Sequence, residues 1–497
     1  MSAPLAIAFA ALLLLACHFV LRIAPLWRHR HQGCDAYYYL LTAEVFRRER
    51  RLPIVLPPYY LLEPQDQAYP PMTSVLLGLL PERWLARYYW TISPAIDALS
   101  MLIVAGWIGA EFGVAWAIAA GLCHSMNASL TLEFSSLNSR PLSLVLTNGF
   151  LLATFLWTQG WVAGFPAAVL LGAALLYTHK LSVQLLWFLA PFLALAMQDP
   201  KWLATLPAAY LLAFAVAPRL FPKVLAAHWD IIRFWHRNFP RLSAHLVKDS
   251  PIYGGSGEPA GYYAKRTLGS VVRQARKLLD YDCFVLAVPL LLPLWHELHA
   301  VERFAFWWVV GTFAWGAATF LLRPLRCVGE GNKYFKYALA PSYFSLVVAL
   351  IAGAGIAAYA VAAFCALYTI YSYAATARGM RGPPDNVGRL TPEIAEMVER
   401  IKNMADARIV CLPPHLSDLM AYHTRRPVLW GGHNYELDRL EPFFPVILRP
   451  LPELAARHGI THLLLNDSYA SLAELRLAHL RVVARTGHYQ LVALAGA

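Results

Sequence analysis

Long apolar runs recur from residue 4 to residue 375, and most approach the roughly 20 residues that a helix needs to cross a bilayer. Hydrophobic residues make up 58% of the chain and charged residues only 14%, a balance that excludes an ordinary soluble protein. The pattern therefore predicts a mostly α-helical, polytopic membrane protein.

We place eleven spans in the sequence. The first is interpreted as a retained helix, because it has neither a basic start nor a small-residue cleavage site. The predicted spans cover residues 4–24, 88–110, 113–126, 141–158, 161–178, 181–197, 202–217, 282–297, 304–322, 336–353 and 355–375. They predict a transmembrane domain over residues 1–380, with two long loops at 22–87 and 218–280.

The composition changes after Gly382-Pro383-Pro384, which is a strong breaker of regular structure. Short apolar strands then alternate with amphipathic helices to the end of the chain. Residues 384–497 are therefore predicted to form a small soluble α/β domain, long enough to have its own core. The domain has no Gly-x-Gly-x-x-Gly loop, so nucleotide binding is not indicated. No nucleic-acid partner is expected.

With eleven spans, nearly every polar motif falls on one face of the membrane. A transporter tends to place its binding groups at midplane in broken helices, so one elaborated face favours chemistry on a membrane-bound substrate. This face also holds nearly all the lysines and arginines of the loops. By the positive-inside rule it would be cytoplasmic.

An acidic-aromatic segment, Asp35-Ala36-Tyr37-Tyr38-Tyr39, follows the first span, and Tyr69-Pro70-Pro71 comes later in the same loop. An aspartate at the mouth of a membrane bundle is costly to desolvate, which favours a functional role for Asp35. The carboxylate is suited to accepting a proton from a hydroxyl, to binding a metal or to capping a helix. The residues alone leave these three roles open.

Several charged and polar residues stand at the ends of distant spans on the same face. They are Arg140, His179, Lys180, Arg323, Arg326, Glu330 and Lys333. Taken singly, each cation is a typical membrane-boundary residue that reaches toward water. Taken together they predict an anion site, because arginine offers a bidentate fork and lysine a point charge to phosphate.

The order Asp35-Ala36-Tyr37-Tyr38-Tyr39, Leu52-Pro53 and Tyr69-Pro70-Pro71-Met72 resembles the first external loop of the GT-C superfamily of integral-membrane glycosyltransferases. That superfamily includes protein O-mannosyltransferases, lipid A aminoarabinose transferases and the oligosaccharyltransferase catalytic subunit. The segment 323–337 resembles a donor-phosphate loop of these enzymes. The resemblance implies transfer of a hexosyl or pentosyl group from a polyprenyl-phosphate donor to a hydroxyl of a glycan, lipid or protein.

The resemblance also implies inversion at the anomeric carbon, with Asp35 as the base. It assigns Arg323, Arg326 and Lys333 to the leaving phosphate, with Arg140 and Lys180 as weaker candidates. The predicted substrate-binding set is completed by His179, Glu330 and Tyr69. The active site and the C-terminal domain are expected on the extracytoplasmic side of the membrane, against the positive-inside rule.

Two departures from the family pattern concern metal binding. The metal-dependent branch has Asp-x-Asp in its second loop and Trp-Trp-Asp in its soluble domain. This chain has only Glu133 near the first position, and Trp430-Gly431-Gly432 does not match the second. We therefore expect a monosaccharide-transferring enzyme without a cofactor, with a divalent metal as the less favoured alternative.

Two other functions fit a chain of this kind. One is a flippase or transporter of lipid-linked saccharides, for which Asp97 and Asn148 are the main polar residues inside predicted spans. The other is an O-antigen ligase-like enzyme, although such an enzyme would have its long loop between late spans.

Overall fold

The computed structural model describes residues 3–27, 30, 33–238, 241, 247–255, 268–329, 331–381, 389–433 and 435–494. It confirms the predicted mostly helical membrane fold. The chain divides into two compact units, each built from three separate stretches. The apolar unit contains Met1–Arg30, Tyr88–Phe221 and Val271–Pro383, and the sheet unit contains His31–Arg87, Pro222–Ser270 and Pro384–Ala497.

In the described part of the chain, five segments are long and apolar enough to cross a membrane. They are Ile7–Leu26, Glu82–Phe112, Arg140–Thr158, Gly331–Ile351 and Gly355–Arg381. Shorter apolar helices are Val114–Ser125, Gly164–Leu176, Lys180–Ala196 and Trp202–Val216. The protein is therefore an integral membrane protein, while the count of eleven spans stays a prediction.

The α-helices that lie wholly or mainly in the apolar unit are Ala3–Ile23, Ile92–Phe112, Val114–Ser125, Ala128–Glu133, Arg140–Thr158, Gly164–Leu176, Lys180–Ala196, Trp202–Val216, Leu268–Asp282, Ala300–Leu321, Leu339–Ile351 and Gly355–Arg381. Shorter 3₁₀ segments are Ala24–Leu26, Tyr89–Thr91, Cys283–Leu291, Arg323–Val328 and Gly331–Ala338.

Where a span was predicted at 282–297, the structure does not have a continuous α-helix. The structure has a 3₁₀ helix at Cys283–Leu291, with Pro289 inside it. Proline removes a backbone donor and its ring crowds the preceding turn, so a continuous α-helix is disfavoured there. The segment begins at Asp282, whose side chain accepts the Phe284 amide at 3.0 Å.

The core of the apolar unit is rich in stacked aromatic rings. The rings of Phe155 and Phe304 lie 4.5 Å apart and nearly parallel. A side chain at Gly172 would place its Cβ 2.8 Å from Ala209 Cβ and about as close to the ring of Phe150. Neighbouring helices therefore approach closely at a small residue, as is common in membrane helix packing.

Asp97 has internal partners in this unit. Its carboxylate lies 2.8 Å from Arg22 and 3.0 Å from His124. Arg22 also donates to the carbonyl oxygens of Asn127 and His124, each at 3.0 Å. A buried charge needs such pairing to be tolerated. Asp97 thus helps to hold the first helix against its neighbours, and it no longer supports a transport site.

Among its described residues, the sheet unit has six strands in two sheets. The strands are Ile54–Val55, Asp66–Gln67, Ile409–Leu412, His462–Asn466, Val482–Thr486 and Tyr489–Ala493. The first two form an antiparallel pair. In the larger sheet, the strand Ile409–Leu412 pairs in parallel with the strand His462–Asn466. The strand His462–Asn466 pairs on its other side, antiparallel, with the strand Tyr489–Ala493. The strand from Val482 lies at the edge.

The α-helices that lie wholly or mainly in the sheet unit are Asp35–Glu49, Met72–Leu79, Glu82–Tyr88, Phe221–Asn238, Pro392–Lys402, Ser417–Thr424 and Leu451–His458. Short 3₁₀ turns are Val247–Asp249, Pro251–Tyr253, Pro414–Leu416 and Leu437–Arg439.

Residues of the first long loop extend the larger sheet. The amides of Leu61 and Leu62 donate to the carbonyl oxygens of Val428 and Leu429, each at 3.0 Å. The Leu429 amide in turn donates to the carbonyl oxygen of Ile409 at 2.8 Å. The first loop and the C-terminal region thus share one hydrogen-bonded sheet, which brings residues near position 60 against residues near position 430.

Candidate active site

Asp35 is the first residue of the helix Asp35–Glu49 in the sheet unit. A negative charge in the first turn of a helix is favoured by the helix dipole. The N-cap position belongs to Cys34, whose side chain makes no capping hydrogen bond. The structure therefore gives Asp35 no N-cap role, and the side chain of Asp35 is 26% exposed.

An imidazole stands beside the Asp35 carboxylate. His433 Nε2 lies 4.0 Å from Asp35 Oδ1. The His433 ring stacks on Tyr38 with centroids 4.5 Å apart. It meets the rings of Tyr39 at 5.2 Å and Tyr69 at 4.7 Å edge-on. Three tyrosines thus fix the orientation of the imidazole that faces Asp35, and one of them is the predicted site residue Tyr69.

Two buried carboxyl groups, which we call the acid pair, bind the chain immediately before this histidine. Glu63 Oε1 accepts the Gly431 amide at 2.6 Å. Asp418 accepts the Tyr60 hydroxyl at 2.8 Å and the Gly432 amide at 3.0 Å. The acid pair of Glu63 and Asp418 therefore binds the backbone of the two residues that immediately precede His433.

The acid pair titrates near neutral pH. The pKa of Glu63 is raised to about 8, chiefly by burial and also by the negative charge of Asp418, while the hydrogen bond from the Gly431 amide opposes the rise. Burial likewise raises the pKa of Asp418 to about 7, aided by the charge of Asp35 and opposed by its donors Tyr60 and Gly432. At pH 7 the acid pair therefore holds at least one proton.

A second cluster lies in the apolar unit around Glu133, the last residue of the helix Ala128–Glu133. Lys336 Nζ lies 2.5 Å from Glu133 Oε2, and the Tyr281 hydroxyl donates to Glu133 Oε1 at 2.6 Å. Burial would raise the pKa of Glu133, but the charges of Lys336 and Arg140 and these hydrogen bonds hold it at about 2. Glu133 is therefore ionised.

His179 is the residue on which the charges of several cations of the apolar unit act together. It is buried and lies at the N-cap of the helix Lys180–Ala196. Burial lowers its pKa well below the usual value, and the charges of Lys336, Arg140, Lys180 and Lys333 lower it further. We call these four residues the cation cluster. Within this cluster, Lys336 pairs with Glu133, whose low pKa also reflects the charge of Arg140.

Solved structures with a similar fold come from membrane glycosyltransferases. One is the Archaeoglobus fulgidus oligosaccharyltransferase tethered with an acceptor peptide containing the NVT sequon, with a TM-score of 0.60 and 13% identity over 98% of this chain and 74% of that one. Another is the Archaeoglobus fulgidus oligosaccharyltransferase AglB in complex with an inhibitory peptide and a dolichol-phosphate, with a TM-score of 0.51 and 14% identity over 93% and 69%.

The chain has a GT-C fold. The resemblance read from the first loop is thereby confirmed at the level of the fold. ArnT from Cupriavidus metallidurans bound to undecaprenyl phosphate also matches, with 14% identity over 98% of both chains, but its TM-score of 0.43 is too low to carry an argument. The sequence itself matches no family model and no curated protein.

Within this GT-C fold, the structure brings together four of the residues that the sequence proposed for an anion site. They are Arg140, His179, Lys180 and Lys333. Arg326 lies in the 3₁₀ helix Arg323–Val328 and is half-buried. The side chain of Arg323 and the whole of Glu330 fall outside the described residues. Their assignment to the donor phosphate stays a prediction.

Sequence reasoning did not assign Lys336 or His433 to a site. Lys336 carried a usable signal, because a charged residue inside an otherwise apolar segment is costly unless it has a function or a partner. His433 carried none, since its place beside Asp35 depends on the sheet that joins residue 60 to residue 428. Among the described residues, no group of three or more histidines, cysteines or acids is arranged to hold a metal.

Proposed function

We propose that this protein is a membrane glycosyltransferase that moves one sugar from a polyprenyl-phosphate donor to a hydroxyl group of a glycan, lipid or protein. The observation that carries this proposal is the cation cluster, whose four positive charges all act on the buried, neutral His179. Such a site fits the phosphate of a lipid-linked sugar. The GT-C fold, shared with an enzyme whose structure holds dolichol-phosphate, supports the same donor class.

The proposed reaction is a direct displacement at the anomeric carbon. The acceptor oxygen forms the new glycosidic bond while the bond from the anomeric carbon to the phosphate oxygen breaks, so the configuration inverts. The acceptor proton passes to the Asp35 carboxylate, which acts as general base. The bonding electrons leave with polyprenyl phosphate, whose developing charge positive side chains stabilise.

We assign Arg140, Lys180 and Lys333 to the donor phosphate, together with Arg323 and Arg326. Lys336 is excluded from this set because its ammonium group is held by Glu133 at 2.5 Å. His179, Glu330 and Tyr69 stay proposed substrate-binding residues. We also propose that no metal is required, because both oxygens of Glu133 are taken up by Lys336 and the Tyr281 hydroxyl.

The donor assignment predicts a defect in three single variants. Arg140→Gln, Lys180→Gln and Lys333→Gln should each lower kcat/KM for an undecaprenyl- or dolichyl-phosphate sugar by about 10- to 100-fold. Loss of one charge-assisted contact costs roughly 1.5–3 kcal/mol. Turnover of purified protein in detergent, with and without EDTA, is the measurement.

The matched control is Lys201→Gln. This lysine also belongs to the apolar unit, but it contacts the Thr158 carbonyl oxygen at 3.4 Å and the ring of Trp157. It should leave kcat/KM unchanged. Full turnover in all three cluster variants would show that these residues are membrane-boundary cations, and loss of turnover in EDTA would contradict a metal-free reaction.

We further propose that the active site faces the extracytoplasmic side of the membrane, because enzymes of the GT-C superfamily, which this chain resembles, use polyprenyl-phosphate sugars on that side. In a variant without reactive native cysteines, Asp406→Cys should react with a membrane-impermeant maleimide in intact cells. Asp406 is exposed in the sheet unit. Gln159→Cys, between the predicted spans 141–158 and 161–178, should react only after permeabilisation if this connection lies on the opposite face. The reverse pattern would invert the proposed orientation.

A further inference from the structure

The two glycines that precede His433 are held through their backbone amides. The Gly431 amide donates to Glu63 at 2.6 Å, and the Gly432 amide donates to Asp418 at 3.0 Å. A Cβ at Gly431 would lie 2.6 Å from Asp418 Oδ1 and 2.7 Å from the ring of Tyr60, so a side chain does not fit there without displacement. The two glycines therefore allow the close approach of the backbone to both carboxyl groups.

We propose that Glu63 and Asp418 are positioning residues that fix the Gly431-Gly432 backbone so that His433 stands against Asp35. This inference rests on the proposed role of Asp35 as the base. The hydrogen bonds end one residue before His433, whose ring is then fixed by its stack on Tyr38. Loss of either carboxyl frees the chain next to the imidazole and lets the ring leave Asp35.

The chemistry of this arrangement suits a general base. His433 Nε2 stands 4.0 Å from Asp35 Oδ1, so the imidazole borders the carboxylate that is proposed to accept the proton. The proton held by the acid pair limits the negative charge that Asp418 adds beside Asp35. Several titratable groups face the acid pair. The charge of Glu63 contributes to the raised pKa of the hydroxyls of Tyr38, Tyr60 and Tyr435. The charge of Asp418 contributes to the raised pKa of the Cys411 thiol.

Hydrogen exchange of the full-length protein tests the positioning without any assay of activity. In Glu63→Ala, the peptide that covers residues 430–433 should exchange at least about fivefold faster, because one amide loses its acceptor. Glu63→Gln keeps a neutral acceptor and should retain most of the protection. Glu399→Ala, an exposed acid of the same unit with a side chain 66% exposed, should leave this peptide unchanged.

Kinetics then separate positioning from a purely structural role. Gly431→Ala, which retains both carboxyl groups, and Asp418→Asn should lower kcat by tenfold or more with an unchanged KM for the donor. Both should move the acidic limb of the pH profile, whereas Glu63→Gln should keep most of kcat. Unchanged exchange in Glu63→Ala, or wild-type kcat in Gly431→Ala, would overturn the proposal. If exchange responds as expected in a protein that transfers no sugar, the positioning stands and the proposed function fails.

Discussion

Asp35→Asn is expected to lower sugar transfer by about 10²–10⁴-fold, the usual contribution of a general base. Asparagine keeps the size of the side chain and most of its hydrogen bonding, but it cannot accept the proton of the acceptor hydroxyl. Donor binding and thermal stability should change little, because Asp35 is not the N-cap of its helix and its side chain is 26% exposed. Turnover, donor affinity and Tm of the purified variant are the measurements.

Glu44→Gln is the matched control for Asp35→Asn. Glu44 lies on the same helix, and its carboxylate pairs with Arg425 at 2.6 Å. Its removal should leave turnover unchanged. A capping role for Asp35 would give another result, since asparagine caps almost as well as aspartate while alanine loses about 1 kcal/mol of stability. Full activity of Asp35→Asn would remove Asp35 from the mechanism.

Structural features that depend on residues close together along the chain were predictable from the sequence. Apolar runs of bilayer length predicted the helical membrane fold, and short strands were predicted after residue 384, where the structure has strands that begin at Ile409, His462, Val482 and Tyr489. Arg140, Lys180 and Lys333 were singled out because each stands at the end of an apolar run. Hydropathy and position along the chain suffice for inferences of this kind.

Contacts between distant segments were not predictable. Glu63 and Gly431 are 368 positions apart, and Glu133 and Lys336 are 203 apart. Neither pair has a local pattern, because each contact depends on how helices and strands pack in three dimensions. Composition likewise did not reveal the type of helix at 282–297, where the apolar content predicted a span and the structure has a 3₁₀ helix that contains Pro289.

The ion pair of Glu133 and Lys336 should dominate the stability of its surroundings. Lys336→Met leaves a buried carboxylate without its cation and is expected to lower the free energy of unfolding by about 3–5 kcal/mol. Glu133→Gln leaves a fully buried ammonium group and should cost a similar amount. Chemical unfolding of the purified protein measures both. Arg400→Ala, which breaks an exposed pair with Glu396, should change stability by less than about 1 kcal/mol.

The double variant Glu133→Gln/Lys336→Met separates this structural role from phosphate binding. It removes both charges together, so most of the lost stability should return. The net charge of the cluster is unchanged, and kcat/KM for the donor should stay within about threefold of wild type, because less than 1 kcal/mol is then at stake.

The ion pair of Glu133 and Lys336 also makes stability depend on pH. The pKa of Glu133 is about 2 in the folded protein against an ordinary 4.5, so its stabilisation is present above about pH 5 and is lost as the pH falls toward 2. The double variant should lack this loss between pH 5 and 2. A variant that regains stability but loses tenfold or more of kcat/KM would instead show that Lys336 binds the donor phosphate itself.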